Sequence, residues 1–248
     1  SPQIDATAVV VADLSSGTYR AGLKGRVNNY LVQGVGIIGL STDVNLVTTP
    51  KGFALTGRFA AETVRIDNGS VRNLLGGHTI VTGRLAYGDG GVVRITRLRL
   101  AAPKLKISDG GGTYRPDGRI DFRATGVSDQ YGPLTVFVTG TAARPQIRIR
   151  ASRPNIGVPL TDVDAQIRST GNGYAITATG GSPYGPFSAD LFVATGGGGP
   201  LAVDIRRAHF AGIDFKGRVT QTRAGPFAGQ LSLAVRILGD PRLQRHRL

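Results

Sequence analysis

Apolar and polar residues alternate one by one along most of this chain. In GRIDFRATG, Ile120, Phe122 and Ala124 fall on one side, and Arg119, Asp121, Arg123 and Thr125 on the other. A side-chain period of two marks a strand with one shielded and one wet face. PQIRIRAS repeats it with Ile147, Ile149 and Ala151 against Arg148 and Arg150. GIDFKGRVT sets Ile213, Phe215, Gly217 and Val219 opposite Asp214, Lys216, Arg218 and Thr220. In TDVDAQIRST, Val163, Ala165 and Ile167 share a side; in GQLSLAVRI, Leu231, Leu233, Val235 and Ile237 do. The arginines are therefore mostly the polar halves of half-buried strands.

Turn chemistry cuts this pattern at short intervals: DNGS at 67–70, YGDGG at 87–91, SDGGG at 108–112, RPDG at 115–118, TGNG at 170–173 and TGGGGP at 195–200. Asn-Gly and Pro-Asp-Gly supply the backbone angles that hairpins and tight turns require. No segment carries a convincing helical stripe. Between Val92 and Ile107, the most basic stretch, the apolar parity switches between Ile95 and Leu98, which predicts a β-bulge. Segments of about ten residues would give about twenty strands, more than an open twisted sheet usually holds before it curls, splits or closes. At about 4.8 Å per strand, a ribbon of that size would run on the order of 90 Å.

Part of the sequence repeats. ATGVSDQYGPLTVFVTG begins at Ala124 and ATGGSPYGPFSADLFVATG at Ala178, placing Tyr-Gly-Pro units at Tyr131 and Tyr184, and GPFAGQLSL from Gly225 is a fainter echo. A period near fifty residues points to stacked supersecondary units. GVGIIG at 34–39 matches the spacing of a dinucleotide-binding loop, but the run from Leu40 to Pro50 is β-branched and turn-rich. A phosphate-binding loop needs a helix at that point, so the glycines read as part of a sheet.

Composition narrows the chemistry. The chain has 248 residues, 40% of them hydrophobic, with no Cys, Met or Trp. It opens Ser1, Pro2, Gln3 and reads as a piece of a longer or processed protein. No secretory signal pattern and no run of about 18 apolar residues is present. The net charge of +14 raises anionic partners. The basic residues are nevertheless dispersed, and Glu62 is the sole glutamate, so part of the excess is a shortage of acids.

Nothing here forms a catalytic motif, and no enzyme activity and no cofactor is expected. His78, His209 and His246 are scattered, and no metalloprotease, nucleophile-elbow or phosphate-loop pattern occurs. Asp162 and Asp164 sit two apart on the wet side of a strand, without the glycine and closing glutamate of a calcium loop. The sequon at Asn68 is explained by an Asn-Gly turn. Tyr131 and Tyr184 read as packing residues at strand starts. Nucleic acid is not expected as a partner, because aromatic stacking platforms are few. An outer-membrane-type β-barrel shares the alternation, but paired aromatic girdles are missing.

The paired Tyr-Gly-Pro strands, PQIRIRASRPNIGVPLTDVDAQI, FAGIDFKGRV and GPFAGQLSL together resemble the periplasmic repeats of the TamB family, within the AsmA-like group of bridge proteins. The resemblance covers most of residues 1–238. It implies an inner-membrane-anchored, periplasmic protein with a long apolar β-groove, working with an outer-membrane partner of the Omp85 type through a region outside this chain. It also implies phospholipid acyl chains as cargo. The expected fold class is all-β: an elongated, curled, antiparallel-rich sheet forming a groove (taco- or solenoid-like), with essentially no helix. Residues 1–238 form the repeat region, with a possible sub-boundary near 151–160, and the basic stretch 239–248 is a disordered tail or a truncation artefact. Residues expected to line the groove are Ile120, Phe122, Val136, Val138, Ile147, Ile149, Ile176, Leu191, Val193, Ile213, Phe215, Val219, Leu231 and Leu233. The pattern alone leaves open whether that apolar side is an open groove or the sealed core of a sandwich.

Overall fold

The alternation resolves into sixteen antiparallel strands that pair strictly in chain order to form one sheet. The structure is a computed structural model, and it describes residues 3–13, 18–32, 36–50, 52–67, 69–155, 157–194, 202–222 and 225–235. The strands are β1 (Gln3–Asp13), β2 (Thr18–Val32), β3 (Gly36–Thr49), β4 (Gly52–Ile66), β5 (Ile80–Tyr87), β6 (Val93–Ala101), β7 (Leu105–Tyr114) and β8 (Ile120–Ser128). They continue as β9 (Gly132–Thr141), β10 (Arg144–Ala151), β11 (Thr161–Thr170), β12 (Gly173–Ser182), β13 (Gly185–Ala194), β14 (Ala202–Phe210), β15 (Ile213–Thr222) and β16 (Gly225–Val235). β1 and β16 each pair on one side only, so the sheet is not closed into a barrel. At about 4.8 Å per strand it extends on the order of 70 Å along its hydrogen-bonding direction. This is the elongated, curled all-β fold the alternation predicts.

The count of sixteen falls short of the expected twenty because the early strands are long. β2 and β4 each run 15 residues, absorbing irregularities within the strand instead of turning. One such irregularity lies between Val27 and Tyr30, where Asn29 takes φ 58°. The bulge expected between Ile95 and Leu98 is present: the β5–β6 register shifts between Thr82 and Arg84, and Arg97 adopts φ 52°. A bulge inserts a residue and flips the parity of those that follow, so Ile95 and Leu100 reach the same side from opposite parities. The run after GVGIIG is strand β3, with no helix behind the glycines.

DNGS does not close a hairpin. Residues 67–79 connect β4 to β5 through a short helix, α1 (Gly69–Leu75), which the sequence reading missed. Seven residues are too few for a 3.6-residue stripe to register. The helix stops at Gly76, whose N–H donates to Arg72 O at 2.7 Å with φ 81°, a left-handed C-terminal cap that glycine takes without steric cost. The Arg72 guanidinium donates back to Ile66 O through Nε at 3.2 Å.

Connectors on this edge are stitched to one another. Lys104 N donates to Leu75 O at 3.0 Å, Asp129 N to Lys104 O at 3.1 Å, and Asn155 N to Gln130 O at 2.7 Å. Loops that would each be marginal thus form a continuous rim from β4 to β11. Thr79, 2% exposed, is held by Thr63 Oγ1 and the Gly77 carbonyl. Six of the eight buried apolar residues among those described lie along this rim: Ile66, Leu75, Ile107, Leu134, Ala151 and Leu160. The core is therefore a margin of the sheet, and no large side chain among the described residues is completely buried. Across the 152–160 connector the sheet is continuous, with Ile147 paired to Ile167. Residues 239–248 lie outside the described residues.

Candidate functional site: one apolar face across sixteen strands

Following partners from strand to strand yields one uninterrupted row. It passes through Ala8, Leu23, Val44, Gly57, Leu85, Ile95, Gly112 and Phe122. It continues through Val138, Ile147, Ile167, Ile176, Leu191, Ile205, Gly217 and Leu231. All sixteen positions, one per strand, are aliphatic, aromatic or glycine. A second row on the same face runs from Ala124 through Val136, Ile149, Ala165, Ala178, Ala189, Ala208 and Phe215 to Leu233. Directly opposed residues share a face, so register alone defines a continuous apolar surface.

All fourteen residues expected to line a groove fall on this face. Phe122, Val138, Ile147, Ile176, Leu191 and Leu231 belong to the first row, and Val136, Ile149, Phe215 and Leu233 to the second. Val193 and Val219 both oppose Val203. Ile120 and Ile213 lie two positions from Phe122 and Phe215 along their strands. The sequence reading missed the N-terminal half of the row, Leu23, Val44, Leu85 and Ile95. Its alternation is broken there by the bulges at Asn29 and Arg97, and reading parity separately on each side of a bulge would have recovered it.

The face is shielded but not covered. From β8 to β15 its large side chains are half-buried or buried, Tyr174 excepted, whereas the opposite face mixes exposed and half-buried residues, with Arg123, Arg150, Arg168, Lys216 and Arg218 among the exposed. The described residues form one sheet with no second sheet upon it, so the shielding comes from curl. Glycines permit close approach: a Cβ on Gly112 would lie 2.6 Å from Phe122 Cγ, one on Gly83 2.8 Å from the Phe59 ring, and one on Gly180 2.7 Å from Phe187. Each ring lies over a bare strand, which draws neighbouring strands together on the apolar side and favours bending toward it. At the two ends the shielding fails: Val10 and Leu233 are each 67% exposed and Leu231 48%.

The opposite face is a ladder of charge. Arg58 and Asp43 stand directly opposed at 3.4 Å, and Arg218 and Asp204 at 2.7 Å. Arg148 Nε donates to Asp164 Oδ1 at 2.8 Å, and Arg150 reaches the same carboxylate at 3.4 Å. The Arg148 hydrogen bond holds the Asp164 carboxyl below its ordinary value, partly opposed by desolvation. Asp164 is thus engaged by arginines, and Asp162 sits at a bulge with φ 48°. Phe137 lies on this face beneath the guanidiniums of Arg123 and Arg150, at 5.4 and 5.8 Å.

Of the scattered histidines, His209 Nδ1 contacts Asp214 Oδ1 at 2.8 Å across the β14–β15 hairpin, and His78 Nδ1 lies 3.1 Å from Thr63 O. Tyr131 and Tyr184 occupy the equivalent β8–β9 and β12–β13 turns. Tyr131 packs on the Ile107, Leu134 and Ala151 cluster, while Tyr184 is 67% exposed and meets Phe210 edge-on. Among the described residues, no group of three or more metal-binding side chains occurs, and no helix is long and apolar enough to cross a membrane. No family model, curated protein or solved structure matches the chain.

Proposed function

We propose that the apolar face is a track for hydrocarbon chains, and that the protein is a periplasmic, inner-membrane-anchored scaffold conveying phospholipid between two membranes or supporting outer-membrane assembly. The single observation behind this reading is the sixteen-residue apolar row, half-shielded by curl and lacking a second layer among the described residues. An acyl chain laid along it gains about 0.8 kcal/mol per buried methylene. Because the row repeats similar side chains at strand intervals, the tail can shift from one strand to the next with little change in energy. Headgroups stay at the wet margin. This is the role the resemblance to TamB-like bridge proteins implies, in which an Omp85-type barrel would be met through a region outside this chain. No catalytic step is needed.

Site-specific photo-crosslinking tests the reading. A photoreactive residue at Phe122 or Phe215 is expected to capture phospholipid from cells or vesicles, and one at Arg123 on the opposite face is not. Capture from Arg123 with none from Phe122 overturns it.

A further inference from the structure

The polar face carries an open hollow of about 470 Å³ over β3 to β6. Its floor is a cross-strand row of small residues, Ser41, Ala60 and Thr82, leading to Arg99. Its walls are Arg58, Arg84, Arg97 and Arg99, with Asp43 the one acid among the lining residues. Arg58 and Arg84 are directly opposed across β4 and β5, an arrangement of like charges that destabilises a sheet unless something neutralises it. Asp43 is paired with Arg58, and no ion pair to Arg84, Arg97 or Arg99 occurs among the described residues. Arg97 is held at φ 52° by the β6 bulge, where a residue other than glycine is strained. A second hollow of about 620 Å³, lined by Arg94, Arg123, Asp109, Thr113 and Thr125, shares Arg97 with the first.

We propose that this hollow is a phosphoryl-anion site, with Arg97 as the residue common to it and its neighbour. Several guanidiniums around one small-floored depression suit a compact anion with three terminal oxygens. A lone carboxylate can accept only one bidentate pair. The positive φ aims a cation where two depressions meet, so the strain falls at the centre of the charge. The site lies on the face opposite the apolar rows and does not rest on their reading as a lipid track. A free phosphate and a lipid headgroup offer the same chemistry.

Titration of the purified chain with inorganic pyrophosphate, and co-flotation with phosphatidic acid vesicles, whose phosphomonoester headgroup also carries three terminal oxygens, separate those two sources. Arg97→Gly removes the side chain and also relieves the strained backbone, so the fold is expected to survive with an undiminished thermal midpoint. Binding in whichever arm is positive is expected to weaken about fivefold or more. Arg84→Gln should weaken it similarly, and Arg168→Gln, an equal loss of charge on distant β11, should leave it intact. Pyrophosphate binding lost in Arg97→Gly assigns a free phosphate, and vesicle binding alone lost in that variant assigns a headgroup. No saturable binding in either arm, unchanged binding in Arg97→Gly, or an equal loss in Arg168→Gln overturns the proposal.

Discussion

The middle of the sheet and its two ends carry the same apolar rows but bury them differently. Along the rim from β4 to β11, stitched connectors hold Leu134 at 9% and Ala151 at 5% exposure, while Leu233 on β16 is 67% exposed on the same face. The chemistry of the rows is constant, so the difference comes from what closes over them. Loops that bond to one another along an edge make a core out of a single layer, and terminal strands lacking such neighbours leave theirs open. Stability resides in the rim, and accessible hydrocarbon surface at the ends.

Truncating one leucine in each region is the sharpest test of that contrast. Leu134→Ala is expected to cost about 2 kcal/mol, at the low end for a buried leucine. Leu233→Ala should cost under about 0.5 kcal/mol. Denaturant titration of both variants measures the gap, and equal losses would erase the distinction. A smaller effect is expected from Gly83→Val, where the added side chain would meet the Phe59 ring, 2.8 Å from an ideal Cβ. Overpacking of this kind costs about 1 to 2 kcal/mol, read as a lowered denaturant midpoint, whereas a valine at Gly69, with open space around its Cβ, should shift it less.

The smallest effect concerns charge on the opposite face. Asp164 has a lowered folded-state pKa, so its contribution is present above the pKa of an unfolded aspartate, about 3.9, and fades as pH falls toward the folded value. Asp164→Asn should therefore be less stable than wild type at pH 7, with the difference shrinking at pH 3. A difference that persists unchanged at pH 3 would detach it from the carboxylate.

What the sequence disclosed follows from which interactions are local. Period two encodes a face directly, so Ile147, Phe215 and their companions were legible one strand at a time, and the Arg97 bulge announced itself as a switch of parity. Helix α1 was hidden by its length. The rim was hidden for another reason: the bonds from Lys104 to Leu75 and from Asn155 to Gln130 join backbone groups of separate loops, and no side-chain pattern records them. Phe137 reads as a misplaced apolar residue until its neighbours Arg123 and Arg150 are seen across the sheet. The hollow at Arg97 could not be read either, because its floor and walls come from four strands spread over some sixty residues of chain.

The strictly sequential order of the strands has a consequence for how such a molecule changes length. Excising two adjacent strands leaves the survivors antiparallel, facing the same way, and joined by a turn of the kind already in use. Excising one would set two neighbours running in the same direction, and parallel neighbours require a long crossover in place of a hairpin. The natural quantum of growth is thus the hairpin, and duplication or loss of whole hairpins would adjust the span in steps of about 10 Å while the greasy surface stayed continuous.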